Sequence, residues 1–302
     1  MKEAFIDKNF SAASLQTIRL VNDILEEYRR QGFRLSLRQL YYQLVARDYI
    51  PNNLRSYKNL GSLVSNARQA GEVDWDMIED RNRETITVPH WKNPGQIVRA
   101  AAAQFRIDKW LTQPWHIEVM VEKDALSGVL SPVCRSLDIG ITANKGYSSS
   151  STMYEIGQRL QGKLADGKKI CILYLGDHDP SGIDMTRDVA DRLMMYSYSG
   201  QVNVERLALN WDQIEQWRPP ENPAKETDAR FQNYAAQFGE SSWELDAIEP
   251  RQLARLVEEA VLDRRDHDLW EKAIQRENEM RAELQAFADE KDDGDGDGDD
   301  DE

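Results

Sequence analysis

The stretch ICILYLGDHDPSGIDM, residues 170–185, constrains the fold more than any other part of this chain. Its apolar run, Ile170 to Leu175, is the right length for a strand buried on both faces and is rich in β-branched and aromatic residues. It empties into Asp177, His178 and Asp179 and then turns on Pro180-Ser181-Gly182 into a helical pattern. The same alternation recurs. WHIEVMVEKDALSGVL gives a strand at 115–121 and a helix, DIGITANKGYSSSSTMYEIGQRL gives a short strand, a Ser-rich loop and a helix, and QVNVERLAL gives a further strand. Strands alternating with helices predict an α/β fold with a parallel sheet covered by helices on both faces. Sheets of that kind present functional groups at the carboxyl ends of their strands.

The front of the chain reads differently. Residues 13–31 place Leu15, Ile18, Val21, Ile24 and Leu25 at helical spacing before Gly32. Ser36 is a candidate N-cap for a second helix whose stripe is Leu37, Leu40, Tyr41 and Leu44, ended by Pro51. A third helix over 54–70 carries Leu60, Leu63, Val64 and Ala67 on one face, with Arg55, Lys58 and Arg68 on others. ETITVPHW, 84–91, reads as a short strand or wing, and 96–112 as a linking helix. Three helices and a wing predict a winged helix-turn-helix. The expected organisation is thus a DNA-binding domain over 1–112, a sheet domain with a helical extension over 113–288, and an acidic tail over 289–302. Residues 211–250 show few clear periods, 250–288 look helical, and no repeat is present.

Charge is unevenly spread. The tail DEKDDGDGDGDDDE holds ten acids and one lysine, −9 of the chain's net −15, so the remainder carries −6. Asp/Gly repeats cannot bury a core. Residues 28–71 carry eight Lys/Arg against the single acid Asp48. A basic segment in an acidic protein is a polyanion footprint, and Arg55, Lys58 and Arg68 are its expected backbone-positioning contacts to double-stranded DNA. No apolar run approaches the roughly 20 residues of a membrane span. MKEAFIDKNF lacks a signal core, and Cys134 and Cys171 have no metal-like spacing, so a cytoplasmic protein without disulfides is expected.

Two strand ends carry acids: Glu122 after 115–121, and Asp177 with Asp179 after 170–175. In extended chain, residues i and i+2 share a side at about 6–7 Å. With a glutamate from a neighbouring strand they gather the oxygen ligands that Mg²⁺ takes. The helix opening at Pro180 favours an adjacent phosphate. His178 is expected to stand behind the site or face solvent, and Lys123 and Asp124 to flank it without binding metal. Thr152 and Glu155 fit a capping box for the helix after the Ser run.

VEKDA (121–125) with GDHDPSGID (176–184) resembles the TOPRIM signature, and the D-x-D-P-x-G form resembles the topoisomerase VI A subunit and the meiotic double-strand-break transesterases. SLRQLYYQL (36–44) is similar to that family's tyrosine segment, with Arg38 four residues before Tyr42, and NKGYSS (144–149) to its Lys-Gly-Tyr segment. The likeness spans roughly residues 30–205 and comes closest to the compact stand-alone relatives of the A subunit. The chain departs from the family after Tyr147, where Ser148 to Ser151 stand instead of Pro-Asp.

The resemblance implies a winged helix-turn-helix followed by a TOPRIM domain. It implies Tyr42 as a nucleophile giving a 5′-phosphotyrosyl link, Arg38 beside it stabilising charge, and Mg²⁺ (or Mn²⁺) on Glu122, Asp177 and Asp179, with Glu122 also catalytic. Lys145 becomes a candidate phosphate contact, and the tyrosine and the metal site come from different copies of a homodimer. No G-x-x-x-x-G-K-[S/T] occurs, so ATP-driven strand passage would need a separate ATPase subunit. Tyr41 falls on the apolar stripe, which assigns it to the core and Tyr42 to the exposed side. Two other classes stand beside this one: a metal-only TOPRIM endonuclease in which water attacks, and a DNA-binding protein that does not cleave.

Overall fold

The computed structural model describes residues 2–78, 88, 90–144 and 146–293, with the side chains of 291–293 excepted. Within these the fold is mixed α/β, built around a four-stranded sheet. The chain forms two compact units, residues 1–82 with 117–263, and residues 83–116 with 264–302.

Three helices open the larger unit. Ser11 caps α1 (Ala12–Arg30), which buries Ile18, Val21, Ile24, Leu25 and Tyr28, and Gly32 stops it at a positive φ of 81°. Ser36 is the N-cap, as expected, and forms a capping box with Gln39, its hydroxyl accepting from the Gln39 amide while the Gln39 side chain accepts from the Ser36 amide. It opens α2 (Leu37–Ala46). Asn53 caps α3 (Leu54–Gln69), whose Leu60, Val64 and Ala67 are buried. Their apolar faces form one core with Leu35, Val73, Met77 and Ala247. The Tyr28 hydroxyl reaches across this core to donate to Glu249 at 2.7 Å. The wing expected at 84–91 lies largely outside the described residues.

The sheet follows the predicted alternation. β1 (Trp115–Val121) leads to α5 (Ser127–Ser136), β2 (Gly140–Ala143) to α6 (Ser150–Ala165), β3 (Lys169–Leu175) to α7 (Pro180–Ser197), and then comes β4 (Val202–Ala208). The order across the sheet is β2-β1-β3-β4, with β1/β2 and β3/β4 parallel. Alternate residues of β3 face opposite ways, and Ile170, Ile172 and Tyr174 pack with Met153, Ile156, Met185 and Val189 of α6 and α7. Cys171, Leu173 and Leu175 are equally buried, so both faces of the strand are covered. The α6 cap differs from the expectation. Ser149, not Thr152, is the N-cap, and its Oγ accepts from the Thr152 amide at 3.1 Å.

Residues 211–250, poor in periodicity, fold as α8 (Trp211–Trp217), α9 (Phe231–Phe238) and a small hairpin of β5 (Glu221–Pro223) with β6 (Ser241–Trp243). α10 (Pro250–Leu262) closes the unit against α5.

In the smaller unit, α4 (Pro94–Gln104) packs on α11 (His267–Asp293). The linking helix expected to reach residue 112 stops at Gln104, where Phe105 turns extended. The buried Glu277 ties the segment after α4 to α11. It accepts from the Ile107 amide at 3.1 Å, from Lys109 Nζ at 2.6 Å and from Arg281 at 2.6 Å. The units therefore do not follow a division at residue 112, because this helix pairs with a segment far along the chain.

Candidate functional site

β1 and β3 deliver the acids at their carboxyl ends. The Glu122 amide donates to the Leu175 carbonyl at 2.9 Å, and the Asp177 amide donates to Glu122 Oε2 at 2.8 Å, so the two strand exits are tied to one another. Gly176 is required there. A Cβ would stand 2.7 Å from the Tyr174 ring and 2.9 Å from Glu122 Oε2. Gly182 is required as well, since a Cβ would run into the Asp177 carbonyl. Asp179 is the N-cap of α7, its Oδ1 accepting from the Gly182 amide at 2.6 Å and from the Ser181 hydroxyl at 2.9 Å. Asp177 points elsewhere, with Oδ1 accepting from the Leu245 amide at 2.8 Å and Oδ2 paired to Lys123 Nζ at 2.6 Å.

The turn is held from behind by Arg206 of β4. Its half-buried guanidinium donates to the carbonyls of Gly176, Asp177, Gly182 and Leu209 and to the Thr186 hydroxyl. His178 fixes the turn from the other side. Its backbone exchanges hydrogen bonds with Trp243 at 2.9 and 3.0 Å, and its ring nitrogen meets the Tyr234 hydroxyl at 2.8 Å. Trp211, Phe238 and Trp243 surround that ring. Of the two expected places His178 takes the one behind the site, not solvent, and burial pushes its pKa down to about 4. It is a neutral wedge that docks the hairpin beside the acids.

That docking brings in Glu244 and Asp246. Lys123 Nζ lies 2.6 Å from Asp177, 2.9 Å from Glu244 and 3.6 Å from Asp246. Burial works against the Lys123 charge, but these three acids outweigh it and raise its pKa. Asp246 is buried and both its carboxylate oxygens lack a hydrogen-bond partner, and burial raises its pKa. Burial, and then Asp177, push the Glu122 carboxyl up to about 7. Hard oxygens short of positive charge are the donors that fit a divalent ion such as Mg²⁺. In the conformation seen, no three His, Cys, Asp or Glu side chains among the described residues are arranged to hold one.

On the helical side, Arg38 and Tyr42 share a face of α2, with the guanidinium 6.0 Å from the ring centroid. Arg38 pairs with Glu244, and its Nε lies 3.4 Å from Asp246. Tyr42 corrects an expectation. It is buried like Tyr41, at 4 % exposure each. The helix's own periodicity leaves it outward, but the β5 strand covers it, and Asn222 Nδ2 donates to its hydroxyl at 3.4 Å. Tyr42 still lines open space. A cavity of about 380 Å³ is lined by Arg38, Tyr42, Tyr57, Asn52, Asn222 and Glu244, among others. Burial, then the Glu244 charge, push the Tyr42 phenol up to about 12.

Neither a family model nor any curated protein matches this chain. The remaining expected contacts divide. Arg55 and Lys58 are exposed on the first turns of α3, next to the cavity residues Leu54 and Tyr57. Arg68 instead donates to the Trp75 carbonyl at 2.7 Å and stacks 4.5 Å from that ring, a structural role. Lys145 lies outside the described residues. Among the described residues no helix is long and apolar enough to cross a membrane.

Glu244, Asp246, Arg206 and Asn222 belong to the site beyond the sequence expectation, whereas Lys123 flanks it as expected, paired to Asp177. Glu244-Leu245-Asp246 repeats the spacing of Asp177 and Asp179, which is the one sequence signal that pointed to it.

Proposed function

We propose that this chain is a Mg²⁺-dependent DNA strand-breaking transesterase, similar in action to a topoisomerase VI A subunit. In this reading residues 12–69 are the helices of a winged helix-turn-helix and the parallel sheet is a TOPRIM core. The observation that carries it is the unbroken line of contacts from the phenol to the strand-end acids. Tyr42 adjoins Glu244, Glu244 binds Arg38 and Lys123, Lys123 binds Asp177, and Asp177 binds Glu122. A nucleophile of the right kind and a carboxylate cluster of the right kind are thereby neighbours, although they come from segments 80 or more residues apart.

Tyr42 Oη attacks the phosphorus of a phosphodiester, forming the O–P bond as the P–O3′ bond breaks. The phenol gives up one proton and the departing 3′ oxygen takes one up, so no net proton is exchanged. A phenol with a pKa near 12 is a weak nucleophile until charge on its oxygen is stabilised, which is the role of Arg38. Mg²⁺ (or Mn²⁺) on Glu122, Asp177 and Asp179 would supply Lewis-acid stabilisation of the phosphoryl charge. Arg55 and Lys58 hold the duplex by its phosphates. A homodimer, in which the resemblance pairs the tyrosine of one copy with the metal site of the other at each phosphate, would cut both strands. ATP-driven strand passage would require a separate subunit.

The test is incubation with supercoiled plasmid and Mg²⁺ or Mn²⁺, with and without proteinase before electrophoresis. Nicked or linear DNA released only by proteinase, and lost in Tyr42→Phe, is expected. Free 5′ ends that persist in Tyr42→Phe would replace the tyrosine route by metal-activated water. Binding without metal-dependent scission would leave a DNA-binding protein.

A further inference from the structure

We propose that the Glu244 carboxylate is an internal stand-in for the DNA phosphate, and that Lys123 and Arg38 together form the phosphate seat it occupies. The inference rests on the reading of this site as one that meets a phosphodiester. One oxygen of Glu244, Oε2, accepts from both Arg38 Nη2 and Lys123 Nζ. The two cations come from α2 and from the β1 exit, so a single anion oxygen bridges the helical and sheet halves of the site. The same carboxylate bears directly on the Tyr42 phenol and lines the cavity that Tyr42 faces. An anion held by two cations at the nucleophile's side is the arrangement that an incoming phosphate needs.

Glu244 is placed to leave. Its side chain is 22 % exposed, that of Lys123 is 23 % and that of Arg38 is 44 %, so solvent and a phosphate reach the seat. By contrast Asp246, beneath it, is fully enclosed and stays to hold the cations when Glu244 swings out. DNA therefore competes with Glu244 for Arg38 and Lys123, and the resting site is self-blocked. Lys123, which the sequence motif alone leaves without a role, becomes a phosphate-binding residue.

The test measures binding of a fluorescein-labelled duplex oligonucleotide by anisotropy in EDTA, where no scission occurs. Glu244→Gln keeps the shape and removes the charge. It is expected to bind about tenfold tighter, the worth of one charge-assisted contact. Its log–log salt slope is expected to steepen by about 1, because Arg38 and Lys123 lose the Glu244 charge but keep Asp246, and Lys123 keeps Asp177. Lys123→Met should weaken binding, and combining it with Glu244→Gln should remove most of the gain. Glu221→Gln, an exposed acid on the neighbouring strand β5, controls for loss of charge in general and should change little.

Equal or weaker binding by Glu244→Gln, or an equal gain in Glu221→Gln, overturns the proposal. If Glu244→Gln unfolds early in a thermal melt, Glu244→Ala gives the same decision. Tighter binding with no covalent adduct in the plasmid assay would keep the phosphate seat and discard transesterification. Adducts without tighter binding would do the reverse, and no binding by any variant would discard both.

Discussion

The acid turn and the tyrosine pocket are the two halves of one site, and they are built in opposite ways. The turn at 176–182 starts from local devices, two glycines that leave no room for a Cβ and an Asp179 cap, and is then clamped by Arg206 of β4, which donates to four carbonyls. The pocket around Tyr42 is made by contributions from afar, Asn222 and Glu244, about 180 and 200 residues downstream. The turn is therefore clamped at many points, by its own cap and by Arg206 behind it. A half assembled from distant segments can open, and it is the half in which the nucleophile is covered.

The largest effect is expected at the support of the turn. Arg206→Met leaves the carbonyls of Gly176, Asp177, Gly182 and Leu209 without this donor, at a cost of about 4 kcal/mol. Chemical denaturation measures it, and a cost near that of a surface substitution would show that the turn is not held from β4. Gly182→Ala comes next, at about 3 kcal/mol, because a methyl group cannot share space with the Asp177 carbonyl. Both variants should displace Asp177 and lower metal-dependent scission along with stability.

Glu122 separates the halves by pH. Its carboxyl titrates near 7 in the folded chain, against 4.5 for the free group, because burial and Asp177 disfavour its charge. The folded state therefore holds the proton more tightly than the unfolded one. This contribution is intact below pH 4.5 and is lost as pH rises through 7, a loss of about 3 kcal/mol. Glu122→Gln, still able to accept from the Asp177 amide, should match the wild type near pH 4 and exceed it by up to that amount at pH 8. Saturating Mg²⁺ should narrow the gap by stabilising the wild type alone. Melts that stay parallel at both pH values would place the strain elsewhere than at Glu122.

The same division explains what the sequence could reveal. The strand at 170–175, the acids at its exit, Pro180 at the helix start and the Ser36 N-cap are local signals, and each is in place. Periodicity also found the apolar faces of α1 and α3. It failed at Tyr42, because a helix's own stripe records one partner and Tyr42 has a second in β5. At His178 the expectation left two places open, behind the site or in solvent, and four aromatic side chains from 211–243 put it in the first. The hairpin that carries Glu244 is only three residues per strand, too short for any alternation to announce.

Asn222 carries the smallest expected effect and the sharpest test of the cover over Tyr42. Its amide donates to the Tyr42 hydroxyl at 3.4 Å, and its Oδ1 accepts from Asn52 at 2.8 Å, so it pins β5 over α2 by two modest bonds. Asn222→Ala should cost about 1 kcal/mol in global stability. A donor to the phenol favours its anion, so removing it should raise the Tyr42 pKa further and slow adduct formation at neutral pH. If the cover instead limits access of DNA to the phenol, the same variant should speed adduct formation while lowering stability by the same amount. Slower adducts with the deficit shrinking as pH rises mean that Asn222 acts through the phenol's charge. Faster adducts, insensitive to pH, mean that the distant segment is a gate, and the half of the site built from afar is then the half that controls the reaction.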